Sequence, residues 1–268
     1  MILVNGETGS AISALDRGLA YGDGVFRTLT AHGGPLHWRR HYTKLARDCA
    51  RLAIECPMES VLEGDVKRVC EGIPNAIVKV IVTRGGGERG YRYGGLEPTR
   101  VVIATRRHEE RGTDDEGIRT RLCRLRIAHQ PALAGVKHLN RLENVLARAE
   151  WQDPQIAEGV LADSDMNVIG GTMSNLFVVN AGKLATPDLS RCGVAGVTRD
   201  RVIDAAAQHG LACEVRDIAV SELAQADELF VVNSVIGVRP VRRFEDRDFA
   251  PGPLTKTVRH WLAHDADA

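Results

Sequence analysis

Apolar positions along this chain form short alternating runs and a few stretches of helical period, in irregular succession. Ile2–Val4 reads as a strand that ends at Asn5-Gly6, a dipeptide suited to a tight hairpin turn. Val25–Ala31 is rich in β-formers and runs into His32-Gly33-Gly34, after which Leu36–Trp38 completes an expected second hairpin. The period then lengthens. Leu45, Cys49 and Leu52 recur at i, i+4 and i+7, and Val61, Leu62, Val66 and Val69 repeat the pattern, so two helices are expected. Ala76–Thr83 (AIVKVIVT) and Val101–Thr105 return to strand. Further on, strands are expected near Thr120–Arg126, Gly159–Asp163, Leu176–Val179 and Leu229–Val232, and helices at Arg141–Trp151, Thr198–His209 and Leu254–Ala263.

The polar, Gly-containing stretch Arg107–Gly117 interrupts this succession and reads as a linker. The pattern therefore predicts a two-domain α+β chain. A small N-terminal α/β domain spans residues 1–108, a linker 109–117, and a larger C-terminal domain of mixed strands with helices 118–268. Strands and helices do not alternate regularly, so a doubly wound parallel sheet is not expected. No internal repeat is visible.

Composition narrows the function classes. Of 268 residues, 44% are hydrophobic and 26% charged, an ordinary globular balance. The 35 basic and 35 acidic residues cancel, which argues against general nucleic-acid or anionic-membrane binding. No apolar run approaches ~20 residues, so no membrane helix is expected. The N-terminus MILVNGETGS lacks the basic region of a signal peptide. Cys49, Cys56, Cys70, Cys123, Cys192 and Cys213 are scattered without a CxxC pair and read as reduced thiols. A cytoplasmic protein acting on a small molecule, with no metal, is the expectation.

Candidate chemistry centres on Ala134–Glu143, AGVKHLNRLE. Lys137 follows Gly135-Val136 and precedes an amphipathic helix. A desolvated lysine has a depressed pKa, and its neutral amine can form a Schiff base. The same pattern also suits a packed lysine whose tip reaches water. Three further segments converge on anion or ring binding. In Gly193–Val202 (GVAGVTRDRV), Thr198 can cap a helix whose first N–H groups would bind an anion. In Val231–Val241 (VVNSVIGVRPV), a buried strand ends at Asn233-Ser234. In Val168–Phe177 (VIGGTMSNLF), Gly170-Gly171-Thr172 allows backbone to approach a planar ligand.

Together with LDRGLAYGDGVFRT (Leu15–Thr28) and TRGGGERGY (Thr83–Tyr91), these segments resemble the fold-type IV family of pyridoxal-phosphate enzymes. That family takes in branched-chain aminotransferases, D-amino acid transaminases and aminodeoxychorismate lyases. RGGGERGY followed by GVKHLNRLE looks most like the last branch, which releases pyruvate from 4-amino-4-deoxychorismate to leave 4-aminobenzoate for folate synthesis. The resemblance implies pyridoxal 5′-phosphate as cofactor and a homodimer. It implies that Lys137 holds the cofactor and moves protons, that Val197 and Thr198 bind its phosphate, and that Ser234 supplies a second contact. It places Arg89 and Tyr91 where transaminase relatives meet a substrate carboxylate, and Phe26, Arg27 and Thr28 on a strand lining the pocket.

Two departures qualify what is implied. Lys44, in His41-Tyr42-Thr43-Lys44-Leu45, stands where the family usually has a phosphate-binding arginine, and offers a point charge without the bidentate fork. Gly170 stands where the family has a glutamate that keeps the cofactor's ring nitrogen protonated. Its loss favours elimination over transamination, with Asp163 a conceivable substitute carboxylate. The alternatives are a D-amino acid or branched-chain aminotransferase and a cofactor-binding protein with little catalysis.

Overall fold

The computed structural model describes residues 1–107 and 116–264, so the expected linker lies mostly outside the described residues. The chain divides into two compact units: Met1–Glu109 with Val136–Asn140, and Glu110–Gly135 with Arg141–Asp267.

The first unit contains β1 (Ile2–Val4), β2 (Glu7–Thr8), α1 (Arg17–Tyr21), β3 (Gly24–His32), α2 (Trp38–Arg51), α3 (Glu59–Cys70), β4 (Asn75–Thr83) and β5 (Thr99–Arg106). Its strands form one antiparallel sheet in the order β2-β1-β5-β4-β3. The β1–β2 turn puts Asn5 and Gly6 at φ 52° and 87°, the left-handed conformations a two-residue hairpin turn requires. Along β4, Ala76, Val78, Val80 and Val82 are buried while the residues between them are only partly covered. That period of two turns one face onto Leu45 and Cys49 of α2 and Leu62, Val66 and Val69 of α3. The expected strand at Leu36–Trp38 does not form. Ala31 and Pro35 make a single bridge, proline has no N–H to extend the ladder, and Trp38 begins α2.

Val136–Asn140 belongs with this unit, a correction to the expected domain of residues 118–268. The Phe26 N–H donates to the Lys137 carbonyl at 3.0 Å, and the Leu139 N–H donates to the Gly24 carbonyl at 2.9 Å. Val25 and His138 thereby pair on the outer edge of β3, and Val136 enters the unit's core.

The second unit contains β6 (Ile118–Ile127), α4 (Leu142–Arg148), β7 (Ile156–Asp163), β8 (Val168–Gly171), β9 (Asn175–Asn180), β10 (Lys183–Pro187), α5 (Val197–Gln208), β11 (Cys213–Arg216), α6 (Val220–Leu223), β12 (Glu228–Asn233), β13 (Gly237–Phe244), β14 (Arg247–Asp248) and α7 (Pro253–Ala263). Nine strands form one sheet in the order β11-β10-β9-β12-β13-β6-β7-β8, with β14 on β13. The pairs β10–β11, β13–β6 and β6–β7 are parallel and the rest antiparallel, a mixed sheet. One face of its middle strands buries Phe177 and Phe230, stacked at 5.0 Å, against Val202 and Ala206 of α5 and Val258 of α7. The other face buries Leu176, Val178, Leu229 and Val231 against Ile218 and Leu223. Glu228 caps α7 from a distance: its carboxylate accepts from the Leu254 and Thr255 N–H groups and the Thr255 hydroxyl at 2.7–3.0 Å. The α+β reading therefore holds in both units. Among the described residues no helix is long and apolar enough to cross a membrane.

Candidate active site

In the first unit Lys137 is half-buried on the edge of β3. Its Nζ lies 4.5 Å from the centre of the Phe26 ring, a cation–π distance. Lys79 Nζ sits 4.9 Å from the same ring. The Lys137 main chain is anchored twice, through its carbonyl to Phe26 and through its N–H to Asp48 Oδ2 at 2.9 Å. Asp48, on the buried face of α2, also accepts from the guanidinium of Arg27, and Arg27 further donates to the Lys44 carbonyl at 3.0 Å. Arg27 and Asp48 are 3% and 5% exposed, a buried ion pair. Arg27 is thus engaged beneath the lysine segment, while Phe26 and Thr28, its neighbours along β3, are only partly covered.

The segments Leu15–Thr28 and Thr83–Tyr91 of this unit fold together. Arg17 and Arg84 both donate to Asp23, at 2.9 Å and 2.8–3.0 Å, and Asp16 accepts from the Thr83 hydroxyl at 2.8 Å. Burial works against the charge of Asp23, but these two guanidinium groups outweigh it and hold its carboxyl below the usual range. Arg17 also donates to the carbonyls of Gly90 and Tyr91, and the Tyr91 ring lies 5.4 Å from Tyr21. The Arg89 and Tyr91 side chains are exposed.

In the second unit Val197 and Thr198 open α5 and are buried. Gly196 is the N-cap and has no side chain to satisfy the first-turn N–H groups, which leaves them aimed as anion donors. The Thr198 hydroxyl lies 3.2 Å from that of Ser234, so the two segments singled out for phosphate contact meet. Asn233 joins them to a third: its Nδ2 donates to the Met173 carbonyl at 3.1 Å, and its Oδ1 accepts from Val235 and Ile236.

The turn Thr172–Ser174 between β8 and β9 is organised by Glu158 of β7, a buried carboxylate that no sequence motif marks. It accepts from the Thr172 N–H and hydroxyl, the Met173 N–H and the Ser174 hydroxyl. Asn144 donates to the Thr172 carbonyl at 2.8 Å. An isolated acid in a strand carries no sequence pattern that would reveal this role. Asp48 was hidden in the same way on an amphipathic helix.

Asp163 is engaged within the turn that follows β7. Its Oδ1 accepts from the Asp165 and Asn167 N–H groups and its Oδ2 from His129, closing the β7–β8 turn. Burial raises its pKa, but the His129 and Asn167 bonds outweigh that and keep the carboxyl below the usual range. Gly170 itself has φ 150°, and a Cβ there would lie 2.9 Å from the Ser174 carbonyl oxygen. Gly170→Glu is therefore expected to cost roughly 1–3 kcal/mol of stability, read from urea unfolding; an unchanged midpoint would show that the turn yields.

The chain belongs to the amino-transferase class IV family, whose sequence profile matches residues 24–244. It is 34% identical to an aminodeoxychorismate lyase of Vibrio harveyi, over 97% of this chain and 98% of that one. The crystal structure of 4-amino-4-deoxychorismate lyase from Pseudomonas aeruginosa superposes with a TM-score of 0.94, at 41% identity and with both chains fully covered. A putative branched-chain-amino-acid aminotransferase of Methanocaldococcus jannaschii is 31% identical, over 94% of this chain and 90% of that one.

Proposed function

We propose that this chain is a pyridoxal 5′-phosphate-dependent carbon–oxygen lyase that converts 4-amino-4-deoxychorismate to 4-aminobenzoate and pyruvate. The observation that carries the reading is the 41% identity, along the whole of both chains, to a lyase of that substrate.

The donor set fits the cofactor's anionic end. A glycine N-cap opens the N–H groups of Val197 and Thr198, and the Thr198 and Ser234 hydroxyls stand together beside them. Lys44 adds a positive charge, and Lys137 is the amine that holds the cofactor. When bound, the cofactor withdraws electrons from the substrate carbon that bears the amine, making its proton removable. With the cofactor bound, the Lys137 amine would take that proton as general base and would return it to the methylene carbon of the departing enolpyruvate. The neighbouring carbon–oxygen bond would break as the ring becomes aromatic, so that pyruvate and 4-aminobenzoate account for every atom of the substrate. The Phe26 ring keeps the lysine tip in place. Arg89 and Tyr91, exposed in the first unit, are the groups proposed to meet a substrate carboxylate, with Phe26 and Thr28 as pocket lining.

Gly170 supports elimination. Gly170 offers no carboxylate to a bound cofactor's ring nitrogen, which would then be protonated less often and would draw electrons less strongly. A reaction with a leaving group on the next carbon suffers least, because charge drains away as it forms. Incubation with aminodeoxychorismate should yield 4-aminobenzoate and pyruvate in equal amounts, with 2-oxo acids poor amino acceptors. Efficient transamination of D-alanine or branched-chain amino acids would replace this reading with an aminotransferase. No turnover of either kind would leave a cofactor-binding protein.

The reading extends to a cytoplasmic homodimer. Leu142, Val145 and Leu146 project along one face of α4 and are 53–68% exposed, an apolar stripe that a second copy would cover. Sedimentation of the holoenzyme as a monomer at micromolar concentration would remove that part.

A further inference from the structure

We propose that Asn175 is the positioning residue of the phosphate site, acting through the loop Val194–Gly196 that leads into α5. The inference rests on the reading of Val197, Thr198 and Ser234 given above. Asn175 is the first residue of β9 and is 8% exposed. Both ends of its side-chain amide are used on one short piece of backbone. Its Nδ2 donates to the Val194 carbonyl at 2.8 Å, and its Oδ1 accepts from the Gly196 N–H at 3.1 Å. The amide thus clasps residues i and i+2 of the loop, as a neighbouring strand would.

The opposite side of the loop is clasped too. The Gly135 N–H donates to the Gly193 carbonyl at 3.0 Å, and the Ala195 N–H donates to the Gly135 carbonyl at 3.1 Å. Gly135 stands two residues before Lys137 in the sequence. The loop is therefore pinned on both sides, and the next two residues carry the N–H donors assigned to phosphate. A helix start aims those donors only as well as the backbone before it is held. Nothing on Gly196 itself can do this, because it has no side chain.

The clasp also explains why Gly196 is a glycine. Its φ of −72° would suit any residue, yet a Cβ there would lie 2.4 Å from Asn175 Oδ1. Asn175 and Gly196 therefore form one device that can be disturbed from either side. An amide is needed rather than an acid. A carboxylate at position 175 would face the Val194 carbonyl with no proton to donate, and would set a negative charge near the bound phosphate.

The test compares pyridoxal phosphate with pyridoxal, which lacks the phosphate, on apo-enzyme. Both are followed by the absorbance that develops on attachment to Lys137. Asn175→Ala and Gly196→Ala should each weaken pyridoxal phosphate by roughly 10–100-fold, on the scale of losing a partner that orients a metal-ligating side chain. Asn175→Asp should lose at least as much. Pyridoxal affinity should stay as in the unmodified protein, and thermal melting controls for folding. Equal losses for both compounds would mean a general structural role and overturn the proposal, as would unchanged pyridoxal phosphate binding in both alanine variants. An unmodified protein with no preference for the phosphorylated form would remove the phosphate assignment itself, and this inference with it.

Discussion

Lys137→Ala is expected to lower pyruvate release by roughly 10⁴-fold, the upper range for a lost general acid–base group, while the fold survives. The reason is that the lysine's structural bonds are made by its backbone. Its N–H reaches Asp48, its carbonyl takes the Phe26 N–H, and alanine retains both. Only the half-buried side chain is removed. The edge pairing on β3 and the burial of Val136 continue to hold the segment in place. Loss of activity with an unchanged far-UV spectrum and melting temperature is the expected pattern. A chemical label makes the assignment independent of turnover. Borohydride reduction of the holoenzyme should fix the pyridoxyl group on Lys137. Lys79 is the informative competitor, since its amine approaches the same Phe26 ring at 4.9 Å. Recovery of the label on Lys79, with Lys137→Ala still active, would refute the assignment.

Asp48→Ala should give the largest loss of stability, about 3–5 kcal/mol, the cost of removing one partner of a buried ion pair. Arg27 is 3% exposed, so its charge cannot turn to water when Asp48 is removed. The same substitution strips the acceptor from the Lys137 N–H, so cofactor attachment should weaken as well. Replacing both partners separates the two effects. Asp48→Ala combined with Arg27→Met removes the buried positive charge as well and should recover much of the lost stability, but not the anchor on Lys137. Urea unfolding by circular dichroism reads the first effect, and cofactor titration the second. A single-variant loss below about 1 kcal/mol, the range of exposed pairs, would show that the site relaxes to admit water.

The sequence by itself determined the elements whose residues repeat at a regular period. Leu45, Cys49 and Leu52 specified α2, and the alternation in Ala76–Thr83 specified β4, because burial on one face leaves a repeat in the chain. It also raised Lys137, Thr198 and Ser234 as candidates, since an unusual residue in a glycine-rich or apolar setting stands out locally. Position Gly170 was visible as a departure, though its φ of 150° was not. Pro35 limits the second hairpin to a single bridge, and Trp38 begins α2 instead of completing a strand. Tertiary structure alone decided the rest. Lys137 follows β6 in the chain yet pairs with β3, more than a hundred residues earlier, because that strand has an open edge. Arg27 stands between the partly covered Phe26 and Thr28 in sequence, but an inward-facing position on β3 delivers it to Asp48. Glu158 and Asn175 look unremarkable in their strands. Their importance comes from buried carboxylate and amide groups that must find partners, and those partners lie on separate turns and loops. Periodicity reports which face of an element is buried; it carries no information about which distant backbone a buried polar group will hold.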